Sequence, residues 1–249
     1  NLERSAATMN TGIKVVLPAS VSPAVASQEV LWTSSCPDVA AFNEWGQLEA
    51  LAPGTTVIRA ASAVNPDVYA EMQLTVQAAD YSQVQHVEAG YLHYLVDFDS
   101  CPDKLVLDGE INGTDIALLR TLSGGDNIVG DYMITLLCPL DSLDISQCRI
   151  VAGGKSYYKD YMTENDVVGK EMFKWCLFLK GIVLPVNLVA IGDNAFAESS
   201  RGDMKNIEIP ATVKTIGYAP FRGCQGFEAF TVAEGHTAYK AVDGVLYNY

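Results

Sequence analysis

Residues 182–196 begin with Ile182-Val183-Leu184-Pro185 and end, after five intervening residues, with Ile191-Gly192-Asp193-Asn194-Ala195-Phe196. Twenty-five positions further on, the chain reads Ile207-Glu208-Ile209-Pro210 and then Ile216-Gly217-Tyr218-Ala219-Pro220-Phe221. A period of about 20 to 29 residues is typical of leucine-rich repeats, in which each unit is a strand followed by a tight or helical return. Such units stack, so that equivalent residues lie above one another. The repeat therefore predicts a short leucine-rich-repeat solenoid in the C-terminal part of the chain.

A small residue recurs three positions after the phenylalanine of each unit, at Cys176, Ser199 and Cys224. This register predicts an inward-facing ladder, because stacked units bury equivalent side chains together. We expect Cys176 and Cys224, and also Cys148, to be buried thiols that pack as small hydrophobic groups and take no part in catalysis. Disulfide pairing stays open for the other three cysteines, which are Cys36, Cys101 and Cys138.

Residues 1 to about 78 contain short runs of strand-forming residues that alternate with turn signals. Residues 30–34 run into a Cys-Pro-Asp turn, and residues 43–46 read as a hairpin turn. Residues 70–76 alternate apolar with polar side chains, as a half-buried strand does. Several short strands without a helix between them predict an all-β sandwich. Trp32 lies in the middle of a strand run and is predicted to be a core residue.

Both parts of the chain resemble known bacterial families. The stretches Val30-x-Trp32-Thr33-Ser34-Ser35 and Gly46-x-Leu48-x-Ala50-Leu51-Ala52-Pro53-Gly54-Thr55 resemble the bacterial Ig-like domain of group 2. The C-terminal repeat resembles the BspA-like leucine-rich repeats of Bacteroidetes surface proteins. Residues 105–122 are similar to the N-terminal cap of that family, with a short helix from about Asp115 to Leu122.

These resemblances imply two domains. The first is an all-β Ig-like sandwich over residues 1–78. The second is a short leucine-rich-repeat solenoid of the α/β type over residues 79–249, with an N-terminal cap over about 79–140. Residues 143–146 would form its first regular strand, and residues 150–167 would interrupt the repeat. Only about two clean repeats follow, so the cap and the interruption must close the core, because solenoids need about three units and capped ends.

The chain is acidic, with 30 Asp and Glu residues against 16 Lys and Arg residues and a formal net charge of −14. Phosphate backbones and anionic lipid bind through basic side chains, so nucleic acid and membrane surfaces are poor partners. No run approaches the roughly 18 apolar residues of a membrane-spanning helix, so no transmembrane segment is predicted.

The sequence carries no complete catalytic, cofactor or metal motif. Residues 153–156 end like a phosphate-binding loop, but Arg149 stands where that motif needs a glycine. Residues 97–103 begin like a calcium loop, but Pro102 replaces the glycine that the bend needs. The histidines lack partners at a recognisable metal-ligand spacing. We therefore predict no enzyme, no cofactor and no metal site.

The features together indicate an exported binding protein. The family resemblance implies adhesion through the repeat face to a host matrix or cell-surface protein, or to a glycan. Candidate contact residues are Lys205, Glu208, Tyr218 and Tyr239. The alternatives, in decreasing order, are a structural stalk or adaptor of a cell-envelope assembly and a glycan-capture component or carbohydrate-active enzyme.

The expected location is the cell surface, with an outer-membrane lipoprotein as its form, or the medium after secretion. Several points stay open at this level. They are the identity of the ligand, the face that binds it, the oligomeric state, the lipid anchor and whether the natural chain continues past Tyr249.

Overall fold

The computed structural model describes residues 1–98, 101–125, 128–129, 132–133, 140–199 and 204–249. The chain forms two compact units. The first consists of Asn1–Asp80 with His93–Asp97, and the second of Tyr81–Leu92 with Phe98–Tyr249. Both are mostly β. The predicted domain limits, and the cap over about 79–140, stay predictions.

The first unit contains two sheets. Its strands are β1 (Ala6–Asn10), β2 (Lys14–Val15), β3 (Val30–Ser34), β4 (Ala40–Phe42), β5 (Leu48–Ala50), β6 (Gly54–Ser62) and β7 (Tyr69–Gln77). One sheet has the order β1-β7-β6-β3, in which only β1 and β7 are parallel. The other has the antiparallel order β2-β5-β4. The predicted hairpin turn is confirmed, because residues 43–47 join β4 to β5.

The core of the first unit draws on both sheets. Its fully buried side chains include Met9, Leu48, Ile58 and Leu74. Trp32 is a correction to the sequence-based prediction, since it is half-buried and stacks on Phe42 with ring centroids 5.4 Å apart. Strand β3 lies at the edge of its sheet, where one side of the strand has no neighbour, and its residues alternate between half-buried and exposed.

The second unit begins at Tyr81 and contains one α-helix among the residues that the structure describes. Its elements are β8 (Gln85–Val87), β9 (Lys104–Ile111), α1 (Gly113–Leu122), β10 (Ile128–Val129), β11 (Tyr132–Met133), β12 (Ser142–Ile150), β13 (Gly153–Tyr158), β14 (Tyr161–Thr163), β15 (Val167–Val168), β16 (Gly181–Val183), β17 (Ala190–Ile191), β18 (Asn206–Ile209), β19 (Thr215–Ile216), β20 (Ala229–Val232), β21 (Tyr239–Val242) and β22 (Val245–Asn248). A short 3-10 helix spans Leu92–Tyr94, of which only Leu92 belongs to this unit.

Parallel strands of successive repeats pair in register. The sheets β16-β12-β9-β8, β18-β20 and β15-β17-β19 are parallel throughout. Leu143 of β12 pairs with Leu105 on one side and Ile182 on the other, and all three side chains are buried. The antiparallel hairpins β10–β11, β13–β14 and β21–β22 complete the unit. The strand predicted at 143–146 is the first half of β12, and the predicted interruption contains the β13–β14 hairpin.

The phenylalanines of the repeat form a stacked ladder. The ring centroids of Phe173 and Phe196 lie 5.5 Å apart, and those of Phe196 and Phe221 lie 5.1 Å apart. The ring planes differ by 8° and 2°. The prediction that equivalent residues lie above one another is confirmed for these positions.

The Ile-Gly pair of the repeat has a steric cause. A Cβ atom on Gly192 would lie 2.7 Å from the backbone nitrogen of Lys170, and one on Gly217 would lie 2.7 Å from that of Asp193. Real Cβ atoms do not approach backbone atoms so closely. Neighbouring repeats can therefore stack at this spacing only where the side chain is a hydrogen atom.

The return of each repeat is a series of turns. Two positions of each turn adopt a left-handed backbone, at Glu171, Asn194 and Ala219 and again at Trp175, Glu198 and Gly223. Left-handed residues interrupt a right-handed helix. The prediction of an α/β-type domain is therefore wrong for the described residues, whose returns take the tight form. Helix α1 begins two residues before the predicted Asp115, with Asn112 as its N-cap.

Candidate binding surface

The parallel strands present a row of outward-facing side chains. Strand β18 shows the pattern most clearly, because Asn206 and Glu208 are exposed while Ile207 and Ile209 are buried. Paired or repeat-equivalent positions on the other strands are Val106, Asp144, Val183 and Thr231. The period-2 alternation of each strand thus creates one continuous outer face of mixed polarity.

A groove of about 410 Å³ opens on this face between β16 and β18. Strand β16 pairs with β12, and β18 pairs with β20. No backbone hydrogen bond joins β16 to β18 among the described residues. The groove is lined by Ser146, Ile182, Val183, Leu184, Val186, Asn206, Ile207, Glu208, Pro210, Ala211 and Ala233.

The two repeats are held together behind the groove. Strands β17 and β19 pair through Ile191 and Ile216. The Thr212 hydroxyl lies 2.8 Å from the carbonyl oxygen of Val186 and 2.7 Å from that of Leu188, and it can donate its hydrogen to either. The opening is therefore confined to the outer face of the stack.

The groove is apolar with one charge. Val183 and Val186 expose 50% and 61% of their surface and give the groove an aliphatic wall. Among the residues that the structure describes, Glu208 is the one ionisable residue in the lining, and no basic side chain contributes to it. The nearby Lys205 ammonium lies 3.0 Å from a carboxylate oxygen of Glu228. The groove thus combines aliphatic walls with a carboxylate.

The four sequence-predicted contact residues fall in two places. Lys205 and Glu208 belong to the β18 region of the outer face, and Glu208 lines the groove. Tyr218 follows β19 and is 75% exposed, while its backbone N–H donates to Asp193. Tyr239 is half-buried, and its hydroxyl accepts a hydrogen bond from the Ile216 N–H at 3.0 Å. Strands β18 and β19 belong to different sheets.

Val183 and Val186 are groove residues that the sequence reasoning missed. The signal for Val183 was present, because it occupies the position of Glu208 one repeat earlier. At this outward strand position one repeat has the aliphatic Val183, whereas the next repeat has the charged Glu208. The exposure of Val186 has no comparable sequence signal.

A second surface cluster surrounds the β13–β14 hairpin. Tyr158 lies 6.5 Å from Trp175 and 6.4 Å from Tyr161, measured between ring centroids. Lysine ammonium groups lie close to these rings, with Lys159 4.9 Å from the Tyr158 centroid and Lys174 4.5 Å from that of Trp175. Trp175 is 38% exposed. The cluster presents aromatic surface next to positive charge.

Charged groups beneath the cluster fix its position. Arg120 is fully buried, lies 4.3 Å from the centroid of Tyr158 and donates to the carbonyl oxygens of Glu171 and Met172. Glu171 accepts hydrogen bonds from Lys159 and Lys174 at 2.9 and 3.1 Å. Burial opposes ionisation of Glu171, but these hydrogen bonds outweigh it and lower the pKa of the carboxyl.

The remaining chemical candidates have structural explanations. Residues 153–156 lie in β13, where the Lys155 N–H donates to the Thr114 hydroxyl instead of cradling a phosphate. Residues 99 and 100 of the calcium-like stretch lie outside the described residues. Within the described part of the chain, no group of His, Cys, Asp and Glu residues could hold a metal ion. No helix among those residues is long and apolar enough to cross a membrane.

The cysteine ladder is observed in part. Cys148 and Cys176 are buried, whereas Cys224 is half-buried with its sulfur 3.6 Å from the Ser199 hydroxyl. Burial raises the pKa of the Cys148 thiol to about 12 and also raises that of Cys224, so neither is a thiolate near neutral pH. Cys36 forms no disulfide, and Cys138 lies outside the described residues.

Comparisons with known proteins agree with the two sequence resemblances. Residues 1–72 match the family of the bacterial Ig-like domain (group 2), and residues 165–241 match the family described as "BspA type Leucine rich repeat region (6 copies)". Among solved structures, the chain is similar to the pneumococcal vaccine antigen PcpA at 17% identity, with a TM-score of 0.26. That likeness covers 71% of this chain and 41% of the antigen. No curated protein matches the chain. The chain thus joins a segment similar to bacterial Ig-like domains to a segment similar to BspA type leucine-rich repeats.

Proposed function

We propose that this chain is an exported, non-catalytic binding protein that recognises a partner protein through the outer face of its repeat strands. The groove between β16 and β18 carries the proposal. Its volume of about 410 Å³ is in the usual range of binding sites, and its aliphatic lining with a single carboxylate suits an apolar anchor of a partner. The partner class is a host matrix or cell-surface protein.

The proposal includes a location and a domain arrangement. The chain is at the cell surface as an outer-membrane lipoprotein, or is secreted. Residues 79–249 act as one capped solenoid that presents the outer face, and residues 1–78 act as a spacer. The matches to Ig-like and BspA type repeat families support this arrangement, since both kinds of module are built for binding and display.

A charge placed in the groove tests the proposal. Val183→Arg puts a long cation at the apolar wall of the groove, and because Val183 is half exposed the fold should tolerate it. The affinity for a matrix protein bound by the wild type, measured by surface plasmon resonance against a panel of purified matrix proteins, should fall at least about tenfold.

The matched control is Val64→Arg, which makes the same change at a valine that is 76% exposed in the first unit. It should leave the affinity for the matrix protein within about twofold of the wild type, because substitutions outside the centre of an interface have little effect. Equal loss in both variants, or no loss in either, would place the binding site elsewhere. Binding to no matrix protein would favour the structural stalk or adaptor.

Glycan capture is a second candidate, favoured by the aromatic cluster of the β13–β14 hairpin. Exposed rings can stack against the apolar faces of sugars, and the surrounding lysines offer hydrogen-bond donors. Trp175→Ala should then abolish binding on a glycan array, while Val183→Arg leaves it intact. Retention of glycan binding by the Trp175 variant would exclude the hairpin as the site.

A further inference from the structure

Strands β16 and β18 present unpaired backbone groups to the groove. The carbonyl oxygens of Lys205 and Ile209 accept hydrogen bonds from the N–H groups of Ala229 in β20 and of Ala233 directly after it. The backbone groups of Asn206 and Glu208 therefore point the other way, toward β16. The Gly181 N–H donates to the carbonyl oxygen of Asp141, directly before β12, so by the same alternation the backbone groups of Ile182 and Leu184 point toward β18. None of these groups has a backbone partner across the groove among the described residues.

This arrangement leaves a slot with unpaired backbone N–H and C=O groups and one carboxylate. Facing strands normally satisfy each other's N–H and C=O groups, and a strand edge without a partner is a template for pairing with another chain. By this alternation the carbonyl oxygen of Ile182 points toward β18, and Glu208 is among the residues that line the groove. No basic side chain of the described residues lines the groove to neutralise that carboxylate.

The negative charge of Glu208 determines which kind of side chain fits the groove. The groove needs hydrogen-bond donors with positive charge, joined to an apolar stem that can contact Val183, Val186 and Pro210. An arginine side chain meets these needs, because its planar guanidinium carries five donors and no acceptor, and its three methylene groups pack on aliphatic surface. The net charge of −14 also attracts a basic segment toward the chain.

We infer that the groove is an anchor site for an arginine side chain of an extended partner segment. The guanidinium bonds to the Glu208 carboxylate and to carbonyl oxygens of β16, and its methylene stem packs against Val183, Val186 and Pro210. This inference rests on the proposed function and specifies the chemistry of its partner. It commits to arginine instead of lysine, because a planar fork can serve a carboxylate and a carbonyl together.

The test is an NMR titration of the whole, ¹⁵N-labelled chain with the blocked tripeptide acetyl-Ala-Arg-Val-amide. The amide signals of Ile182, Leu184, Asn206 and Glu208 should shift and saturate. The same tripeptide with citrulline keeps the shape of the side chain but removes its charge. Its affinity should be at least about tenfold lower, as expected for loss of a charge-assisted hydrogen bond.

Glu208→Gln should reduce the affinity for the arginine tripeptide by a similar factor. The matched control is Glu110→Gln, which removes one negative charge from an exposed position of β9 outside the groove. It should change the affinity for the tripeptide by less than about twofold, because solvent and salt screen an exposed charge that does not line the groove.

Three outcomes would overturn the inference. They are the absence of saturable shifts at the groove amides, equal affinity for the arginine and citrulline peptides, and shifts that follow protein concentration without peptide, which would make a second copy of the chain the occupant. The inference and the proposed function can fail separately. A matrix protein that binds the wild type but not Val183→Arg, with no response to the tripeptide, would retain the binding face and reject the arginine anchor.

Discussion

Asp115 is a buried carboxylate that satisfies three backbone N–H groups. Its Oδ2 accepts from Gly90 and Asn112, and its Oδ1 accepts from Leu92. Burial raises the pKa of this carboxyl, while the same hydrogen bonds act in the opposite direction. The side chain joins the N-terminus of α1 to residues 90–92, so its role is to hold the fold together.

Asp115→Asn should lower the free energy of unfolding by about 2–4 kcal/mol. The asparagine has a single acceptor oxygen, so its amide group faces a backbone N–H and leaves at least one buried donor without an acceptor. Urea denaturation monitored by circular dichroism measures the change. Asp160→Asn at the exposed tip of the β13–β14 hairpin is the control and should change the stability by less than about 0.5 kcal/mol. Similar losses in both variants would show that the hydrogen bonds of Asp115 contribute little.

At the residue scale, the sequence carries more information on which side chains are exposed than on which groups they bond to. The sequence alternates Ile207, Glu208 and Ile209, and in the structure Glu208 is exposed between two buried isoleucines. The hydroxyl of Tyr239 bonds to the Ile216 amide, which lies 23 positions away in the chain. A contact over that separation depends on how the terminal hairpin folds back, and no spacing rule contains this information.

At the element scale, the stacking distance of the repeats depends on a residue without a side chain. Gly192→Ala would bring a Cβ atom to 2.7–2.8 Å from the backbone of residues 169–170. The strands β15 and β17 would have to separate, at a cost of about 1–3 kcal/mol in the free energy of unfolding. Thermal and urea denaturation of the purified variant measure this cost.

Gly181→Ala is the matched control, because a Cβ atom at Gly181 meets no other atom within 4 Å and its backbone is not left-handed. Its stability should stay within about 0.5 kcal/mol of the wild type. A Gly192 variant as stable as the Gly181 variant would mean that the repeats can stack at a larger spacing. The repeated Ile-Gly pair would then need another explanation.

The returns of the repeats explain why the α/β-type label did not hold at this scale. The sequence spacing allows either a tight or a helical return, since both fit a period near 25 residues. The left-handed backbone at Glu171 and Trp175 decides between them. Neither residue favours that conformation by itself, so the choice comes from packing on the next repeat, where their N–H groups bond to Asp193 and Ala197.

At the scale of the whole molecule, internal repetition was the most informative feature of the sequence. Identical residues at a fixed spacing predicted the phenylalanine ladder without knowledge of any contact. The groove could not be predicted in the same way. Both β16 and β18 have regular strand patterns, and whether two such strands pair depends on their separation in space. The candidate site was therefore predicted at Glu208 and missed at Val183 and Val186.

The missing ladder between β16 and β18 has a mechanical consequence for the repeat unit. In a one-dimensional array, each repeat is coupled to the next by an interface energy, and the array breaks first where that coupling is smallest. Here the coupling relies on β17–β19, on Thr212, on stacked phenylalanines and on backbone hydrogen bonds between the returns, such as that from the Phe196 N–H to the Pro220 carbonyl oxygen. Among the described residues, no row of backbone bonds joins β16 to β18 on the outer face. Under tension the repeats that contain β18 and β20 would peel away as one block, while those before them stay folded.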